Sequence, residues 1–138
     1  SLLRWFGGCV GRGVVIKPRL TIKYPWNLKV GDHVWIGENA WIDNLDCVVI
    51  GSNVCISQGA ILICGNHDFT KAEFDLITGA ITLEDGVWIG AKSTVAPGVT
   101  CHSHAVLTIG SMATSDLNPY TIYKGCPAQA VKARTITQ

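Results

Sequence analysis

Charged residues are scarce in this chain of 138 residues. They make up 15% of the sequence, against about 25% in an average soluble domain, and the net charge is +1. A chain with so little positive charge is a poor candidate for binding nucleic acid through bulk basicity, so no nucleic-acid partner is expected. No apolar run approaches the ~20 residues of a membrane-spanning helix, so no membrane span is expected. The chain instead holds 15 glycines and 48% hydrophobic residues, which favours short strands and tight turns over disorder.

The chain also lacks a C-x-x-C pair, although it contains six cysteines. No signal peptide is visible, and the chain is longer than a typical disulfide-rich secreted scaffold. We therefore expect free thiols and a cytoplasmic location. Cys47, Cys55 and Cys101 stand where the surrounding pattern calls for small or apolar residues, which predicts that they are buried or half-buried.

Acidic residues are absent from the first 31 positions, which contain six cations. These cations are Arg4, Arg12, Lys17, Arg19, Lys23 and Lys29. All ten acids lie between Asp32 and Asp116, and three further cations follow them. This arrangement of charges has two possible interpretations. The charged residues lie on solvated turns, which we favour, or the cations form a patch that binds a phosphorylated ligand.

An apolar residue recurs every six positions over most of the chain. The positions are Val10, Ile16, Ile22, Leu28, then Val30, Ile36, Ile42, Val48, then Ile50, Ile56, Leu62, and after an interruption Leu83, Ile89, Val95, Cys101 and Leu107. This period fits neither an amphipathic helix nor a long hairpin strand. It predicts an all-β parallel β-helix with about 18 residues per coil, built as one domain over residues 1–138. The frame slips by two residues from Leu28 to Val30 and again from Val48 to Ile50. Both slips are expected to be small bulges at corners.

The interruption places a histidine on a loop inserted at about residues 64–76. His67 stands at the base of this loop between Asn66 and Asp68. A group that titrates near neutral pH, held on a rigid scaffold beside a loop, is suited to act as a general base. The alternative is that His67 is a loop histidine without a catalytic role. His102 and His104 are two residues apart at a predicted corner, which is poor zinc-binding spacing, so no metal is expected.

Several phrases of the chain resemble the hexapeptide-repeat acyltransferases. They are Trp-Ile-Gly at 35–37, Trp-Ile-Asp-Asn-Leu at 41–45, Ile-Ser-Gln-Gly-Ala at 56–60 and Gly-Asn-His-Asp-Phe at 65–69. The likeness is to the galactoside/maltose O-acetyltransferase branch and, more closely, to the colanic acid biosynthesis acetyltransferases. It implies a left-handed β-helix, a homotrimer with active sites between subunits, and acetyl-CoA-dependent acetyl transfer to a sugar hydroxyl in polysaccharide biosynthesis. It also implies that His67 is the catalytic base.

The resemblance further implies which residues hold the two substrates. Acetyl-CoA is expected at Trp88, Ala91, Ile109, Gly110, Thr114, Lys132 and Arg134. The acceptor is expected at Asn44, Asp43, Asp68 and Trp26. A C-terminal cap is expected at about residues 117–138. Ile109 and Ser115 depart from the family's Ala-Gly-Ser and Thr-Lys-Asp motifs, and Lys124, Lys132 and Arg134 are expected to replace the missing lysine as phosphate partners.

Two other functions remain open from the sequence. Ile109 and Ser115 alter the expected contacts to acetyl-CoA, the donor of the acetyl group. This change is compatible with a non-catalytic solenoid that serves as a scaffold or binding module. A serine or amino-sugar acetyltransferase of the same fold is the other alternative. For single residues the structural alternatives are that Trp88 packs on the outer wall and that Lys132 and Arg134 belong to a solvated tail.

Overall fold

The computed structural model describes residues 2–137. A short helix α1 (Leu2–Trp5) is followed by very short strands. The strands are β1 (Cys9–Val10), β2 (Val15–Ile16), β3 (Thr21–Ile22), β4 (Leu28–Val30), β5 (Trp35–Ile36), β6 (Trp41–Asp43), β7 (Val48–Ile50), β8 (Cys55–Ile56), β9 (Ile61–Ile63), β10 (Gly65–Asp68), β11 (Asp75–Thr78), β12 (Ile81–Leu83), β13 (Trp88–Ile89), β14 (Thr94–Val95), β15 (Thr100–Cys101), β16 (Val106–Leu107), β17 (Met112–Ala113), β18 (Thr121–Gly125) and β19 (Ala128–Ala133). A 3-10 turn (Pro25–Asn27) precedes β4.

Successive strands along the chain join different sheets, as the six-residue period predicts. Sheet 1 has the order β1-β4-β7-β12-β15, sheet 2 has β19-β18-β16-β13-β8-β5-β2, and sheet 3 has β17-β14-β9-β6-β3. The pairs within these sheets are parallel, apart from the antiparallel β18–β19 pair. The chain therefore winds as a parallel β-helix of triangular section, stabilised by hydrogen bonds between neighbouring coils.

The length of a coil varies along the solenoid. Leu28 pairs with Val48, twenty residues later, whereas Thr82 pairs with Thr100, eighteen residues later. The predicted position of the frame slips at corners is wrong. The slips lie inside β4 and β7, where the first and third residues both point inward because alternate residues of a strand share a face.

The interior is a stack of aliphatic side chains from the three sheets. The larger fully buried ones are Leu28, Ile36, Ile42, Ile50, Ile56, Leu62, Ile81, Leu83, Ile89 and Leu107. Close stacking leaves no room for side chains at some corners: a Cβ on Gly37 would lie 2.5 Å from the main-chain nitrogen of Gln58 in the next coil. The first coil is less well covered, since Ile16 is 39% exposed.

The cysteines agree with the expected burial. Cys101 is buried, and Cys47 and Cys55 are half-buried. All six cysteines are free thiols among the described residues. None of the helices within residues 2–137 has the length and apolar character needed to cross a membrane.

Three corners join the three sheets. The hairpin corner connects sheet 3 to sheet 1 and comprises residues 23–27, 44–47 and 64–80. At this corner β10 and β11 form an antiparallel hairpin that interrupts the repeat. The groove corner connects sheet 2 to sheet 3 and comprises residues 57–60, 90–93 and 108–111. One side of the prism, formed by sheet 3, separates the two corners.

Candidate active site

His67 lies on β10 of the hairpin, opposite Leu76 of β11, and its side chain is exposed. Its Nδ1 atom is 2.9 Å from the carbonyl oxygen of Phe74. A carbonyl oxygen can only accept, so Nδ1 carries the hydrogen and donates it. The lone pair of the neutral ring is then on Nε2, which makes Nε2 the atom able to take a proton.

The turn of the hairpin positions the Phe74 carbonyl group that accepts the hydrogen bond from His67. The main-chain nitrogen of Lys71 donates to the carbonyl of Asp68 at 3.2 Å, and that of Phe74 donates to the carbonyl of Lys71 at 3.1 Å. Phe74 has a φ of 50°, a left-handed conformation that is uncommon for a residue with a side chain. This conformation bends the chain back so that the Phe74 carbonyl reaches the imidazole.

Asp68 stabilises the start of this turn. Its Oδ1 atom accepts from the main-chain nitrogen of Thr70 at 3.0 Å and from the Thr70 hydroxyl at 2.5 Å. Near the end of the turn, Lys71 and Asp75 form a salt bridge of 3.0 Å between two exposed side chains, which contributes little stability. The carboxylate expected to contact an acceptor is thus engaged in ordering the hairpin.

Asn44 lies at the same corner but is completely buried. Its Oδ1 accepts from the main-chain nitrogen of Tyr24 at 2.8 Å, and its Nδ2 donates to the carbonyl of Tyr24 at 2.6 Å. This placement does not support the expected acceptor contact at Asn44. Its amide is used to pair with the main chain of the preceding coil, and a buried amide needs such partners.

Asp43 and Trp26 remain accessible at the hairpin corner. The Asp43 side chain is 20% exposed, with Oδ1 3.9 Å from the Nζ of Lys23. Its Oδ2 lies beside Gly65 at the base of the hairpin, 3.9 Å from where a Cβ would stand. Trp26 is 61% exposed and lies against Tyr24, with ring centroids 5.2 Å apart. The corner thus offers a carboxylate and an aromatic face below His67.

A groove of about 430 Å³ runs along sheet 2 and the groove corner. It is lined by three of the residues expected to hold the donor, Trp88, Ala91 and Ile109. The indole nitrogen of Trp88 donates to the hydroxyl of Ser57 at 3.0 Å, which fixes the ring along the groove wall. The main-chain nitrogen of Gly110 donates to the carbonyl of Ala91 at 2.9 Å and joins two coils at the groove corner.

The remaining expected donor contacts do not line this groove. Thr114 is exposed just after β17, on the side of the hairpin corner, and Lys132 is exposed on β19. Arg134 lies at the third corner, where its Nη1 donates to the carbonyls of Gly86 at 2.7 Å and His104 at 3.1 Å. The expectation that Arg134 binds the donor is not supported by this placement, because the guanidinium ties the C-terminal strand to the solenoid.

The third corner also contains the histidine pair of the sequence. His102 Nδ1 is 3.3 Å from a carboxylate oxygen of Glu84, whereas the His104 ring stacks on Tyr120 at 4.6 Å. The two side chains have different partners. Within residues 2–137, no group of three or more histidine, cysteine, aspartate or glutamate side chains is arranged to hold a metal ion.

Comparison with known proteins identifies the family. No protein-family model matches the chain. The chain is 34% identical over 137 residues to the Escherichia coli (strain K12) protein named Putative colanic acid biosynthesis acetyltransferase WcaF, which covers 99% of this chain and 75% of that protein. The chain belongs to the hexapeptide-repeat acetyltransferases. It is therefore an enzyme of the acetyltransferase class, and its fold is the left-handed parallel β-helix expected from the sequence.

Further relatives agree with this family. The Galactoside O-acetyltransferase of the same Escherichia coli strain is 27% identical over 135 residues, which are 96% of this chain and 66% of that enzyme. Among solved structures, a hexapeptide-repeat acetyltransferase from Vibrio cholerae superposes with a TM-score of 0.92 at 25% identity, covering 98% of this chain and 78% of that one. That Vibrio cholerae enzyme has also been solved in complex with acetyl coenzyme A.

The structure adds two orienting groups that the sequence analysis does not name, a main-chain carbonyl and a side-chain hydroxyl. The Phe74 carbonyl orients His67, and a main-chain carbonyl has no sequence signature of its own. Ser57, which orients Trp88, was also missed as a contact, although it belongs to the Ile-Ser-Gln-Gly-Ala phrase. Its role depends on which coil stacks on which, and the position of Trp88 above it follows only from the register Trp88↔Cys55.

Proposed function

We propose that this acetyltransferase transfers the acetyl group of acetyl-CoA to a hydroxyl group of a sugar, with His67 as the general base, in the assembly of a polysaccharide. The hydrogen bond between His67 Nδ1 and the Phe74 carbonyl is the observation that carries the proposal, because it leaves Nε2 of the neutral ring without a proton. The printed names of the colanic acid and galactoside relatives support the sugar acceptor. We also propose that residues 1–138 act as one domain and that the protein works in the cytoplasm.

The reaction needs one base and a positioned thioester. Nε2 of His67 takes the proton of the acceptor hydroxyl as its oxygen attacks the thioester carbonyl carbon. The tetrahedral oxyanion then collapses, the carbon–sulfur bond breaks, and the leaving thiolate takes the proton back from the imidazolium. No acyl-enzyme is required, since a positioned general base contributes roughly 10²- to 10⁴-fold to the rate.

The groove along sheet 2 is the proposed donor site. Its wall is largely apolar, with Trp88, Ala91 and Ile109 offering contacts to the pantetheine arm. Gly110 allows the arm to approach the main chain closely, since it has no side chain. Lys132 and Thr114 are further proposed contacts, the lysine for a phosphate group. Arg134 is left out because its guanidinium holds two carbonyls of the fold.

The hairpin corner is the proposed acceptor site. Trp26 presents an exposed aromatic face of the kind on which sugar rings pack, and Asp43 offers a carboxylate for a sugar hydroxyl beside the hairpin base. Asn44 supports this corner from below by holding the main chain of Tyr24. Asp68 supports His67 through the hairpin turn.

Base and donor groove lie on different corners of one chain. A side of about six residues spans at most roughly 20 Å, so a thioester in the groove is one prism side away from the His67 of the same chain. A second copy that sets its hairpin corner against the groove corner would bring the two together. We therefore propose a homotrimer in which each active site combines the hairpin of one protomer with the groove of its neighbour.

Mixing two inactive variants tests this arrangement. His67→Ala removes the base and Ala91→Trp fills the groove, so each variant alone is expected to keep at most about 1% of wild-type turnover. Co-refolded at equal amounts, they are expected to recover about a quarter of wild-type activity, because about one site in four then pairs an intact hairpin with an intact groove. Absence of recovery, with both variants folded and oligomeric, would place the whole site within one chain. Turnover near the wild-type level by either variant alone would contradict the assignment of base or groove.

A non-catalytic scaffold makes a different prediction for donor binding. The Ile109 side chain, which departs from the family motif, is 74% exposed, so the substitution leaves the groove open. Titration calorimetry with acetyl-CoA is expected to show saturable binding, and a free-thiol assay over a set of sugars is expected to identify an acceptor. Lack of detectable acetyl-CoA binding by the folded protein would favour the scaffold.

A further inference from the structure

Carboxylates surround the proposed base at the hairpin corner. Five acidic residues lie in this corner or directly beside it: Asp43, Asp46, Asp68, Glu73 and Asp75. Its cations are two lysines, Lys23 and Lys71. The net charge of the hairpin corner is therefore −3 with His67 neutral, whereas the net charge of the whole chain is +1. The negative charge of the protein is thus concentrated where the acceptor is proposed to bind.

Both lysines of the hairpin corner already lie next to a carboxylate. The Nζ of Lys71 is 3.0 Å from Oδ2 of Asp75, and the Nζ of Lys23 is 3.9 Å from Oδ1 of Asp43. The other three carboxylates of the corner form no salt bridge within residues 2–137. Two of these three accept hydrogen bonds from main-chain nitrogens or a hydroxyl, which are uncharged and leave the negative charge in place. Neither lysine is thus a free cation for an anionic ligand.

Two of the carboxylates face each other across the hairpin. Asp68 and Asp75 are a cross-strand pair, directly next to the pair formed by His67 and Leu76. Like charges placed opposite each other on two strands destabilise the pairing. An uncharged asparagine could accept the same hydrogen bonds as Asp68, so the fold of the turn does not need its charge. The hairpin therefore keeps negative charge beside the base at a cost to its own stability.

The apolar neighbour of His67 adds a second barrier to a charged acceptor. The Leu76 side chain is 55% exposed and shares a face of the hairpin with His67, because opposite residues of an antiparallel pair point the same way. An acceptor whose hydroxyl reaches the base would contact Leu76. A carboxylate or phosphate there would lose water without gaining a cation, which is unfavourable. The CH groups of an uncharged sugar ring can pack on an aliphatic side chain without that loss.

The groove corner, which faces the hairpin corner across the proposed subunit contact, does not cancel this charge. None of the residues that line the donor groove is charged. The groove corner contains one charged residue, Lys92. A single cation leaves the combined charge of the two corners at −2. An anionic acceptor would therefore meet net repulsion in the assembled site as well.

We propose that the acceptor site selects sugars that carry no negative charge on the reacting ring or next to it. Uncharged hexoses fit this site, because their hydroxyl groups can donate hydrogen bonds to a carboxylate such as that of Asp43. Uronic acids, sugar phosphates and nucleotide-linked sugars are repelled by the same carboxylates. The inference rests on the proposed function, since it concerns the acceptor of that reaction.

The rate at which an introduced thiol is modified measures the charge at the site without any turnover. In Leu76→Cys the new thiol lies opposite His67, and its reaction with a cationic and with an anionic methanethiosulfonate is followed by mass spectrometry of the peptide that contains it. Each rate is divided by the rate of the same reagent with mercaptoethanol. The cationic reagent is expected to react about tenfold faster than the anionic one at low salt, and this ratio is expected to approach one in ~1 M salt. A ratio of one or below at low salt would overturn the proposal.

Two matched double variants show which carboxylates set this ratio. In the Leu76→Cys background, Glu73→Gln with Asp75→Asn removes two charges from the hairpin corner and is expected to lower the ratio to about twofold. Glu84→Gln with Asp85→Asn removes two charges from the third corner, where the amide oxygens can still accept the main-chain hydrogen bonds of the two carboxylates. This control is expected to keep the ratio at about tenfold. An equal fall in both variants would reduce the effect to net charge and overturn the proposal.

Matched acceptor pairs test the selection in catalysis by the wild-type enzyme. The methyl glycosides of galactose and galacturonic acid differ only in a hydroxymethyl group against a carboxylate, and glucose and mannose give further pairs. The uncharged member of an accepted pair is expected to have a kcat/KM about tenfold higher or more, with a smaller difference at high salt. An equal or higher kcat/KM for the uronic acid would overturn the proposal. If no sugar of either charge were acetylated, the proposed function would fail, and the thiol rates would still decide whether the corner repels anions.

Discussion

His67 Nδ1 donates to the carbonyl oxygen of Phe74 at 2.9 Å, across the turn of the hairpin that interrupts the solenoid. The bond sets both the orientation of the imidazole and the nitrogen that is free to act as base. Because the acceptor belongs to the main chain, no substitution can delete it. It can only be displaced, through the conformation of Phe74.

The conformation of Phe74 gives the first prediction. Its φ of 50° suits glycine and is poorly tolerated by a β-branched side chain. Phe74→Val is expected to shift the carbonyl away from His67 and to lower kcat about tenfold, at an unchanged KM for acetyl-CoA. A steady-state assay measures kcat and the KM for acetyl-CoA of this variant and of the wild type.

Phe74→Gly is the matched control for that variant. It also removes the aromatic ring, but glycine keeps the left-handed conformation and therefore the carbonyl. Its kcat is expected to stay within about threefold of the wild type. A kcat as low as that of Phe74→Val would mean that the ring, and not the carbonyl, matters.

The donor groove gives the second prediction. Ala91→Trp places a large side chain in a groove of about 430 Å³ and is expected to abolish detectable acetyl-CoA binding in titration calorimetry. Ala130→Trp, on the exposed part of β19, is expected to bind as the wild type does. Both variants should melt close to the wild-type temperature. Normal acetyl-CoA affinity of the Ala91 variant would move the donor site elsewhere.

The buried cysteines give the third prediction, on alkaline stability. Burial raises the pKa of the Cys101 thiol to about 12 and that of the Cys64 thiol to about 11, from the ordinary value of 9.0 for a cysteine thiol. The fold therefore favours the neutral thiols, and this stabilisation is complete below pH 9 and is lost as pH rises from 9 towards 12. Urea unfolding between pH 8 and 11 is expected to show the loss.

A double variant separates the thiols from other groups that titrate in the same range. Cys64→Ala with Cys101→Ala is expected to lose less stability than the wild type between pH 9 and 11. If the double variant and the wild type lost the same stability between pH 9 and 11, the assignment of this loss to the thiols of Cys64 and Cys101 would be contradicted. In the folded wild type at pH 8, a thiol reagent is expected to label the exposed Cys9 and Cys126 and to leave Cys101 unlabelled.

The fold follows from the sequence because each coil repeats the same physical requirement. An aliphatic residue every six positions fills the interior, and the frame from Val10 to Leu107 correctly predicts a parallel β-helix. The position of the slips was not predictable from the period alone. A three-residue strand with two inward residues, as in Leu28–Val30, and a bulged corner give the same spacing in the sequence.

The site was predictable in part. The break in the period marks the hairpin and its histidine, whereas the partners of buried or main-chain groups depend on which coils stack. Asn44 illustrates the difference: its polar side chain at a corner resembles a ligand contact in the sequence, but it pairs with Tyr24 from the coil below. Arg134 likewise finds carbonyls brought close by the C-terminal strand.

The turnover of His67→Ala tests the central claim most directly. The variant removes the proposed base and leaves the donor groove intact, so acetyl-CoA affinity measured by calorimetry is expected to be unchanged. Its kcat, measured by thiol release with an accepted sugar, is expected to fall roughly 10²- to 10⁴-fold. Turnover near the wild-type level with intact acetyl-CoA binding would contradict the role of His67 as the general base.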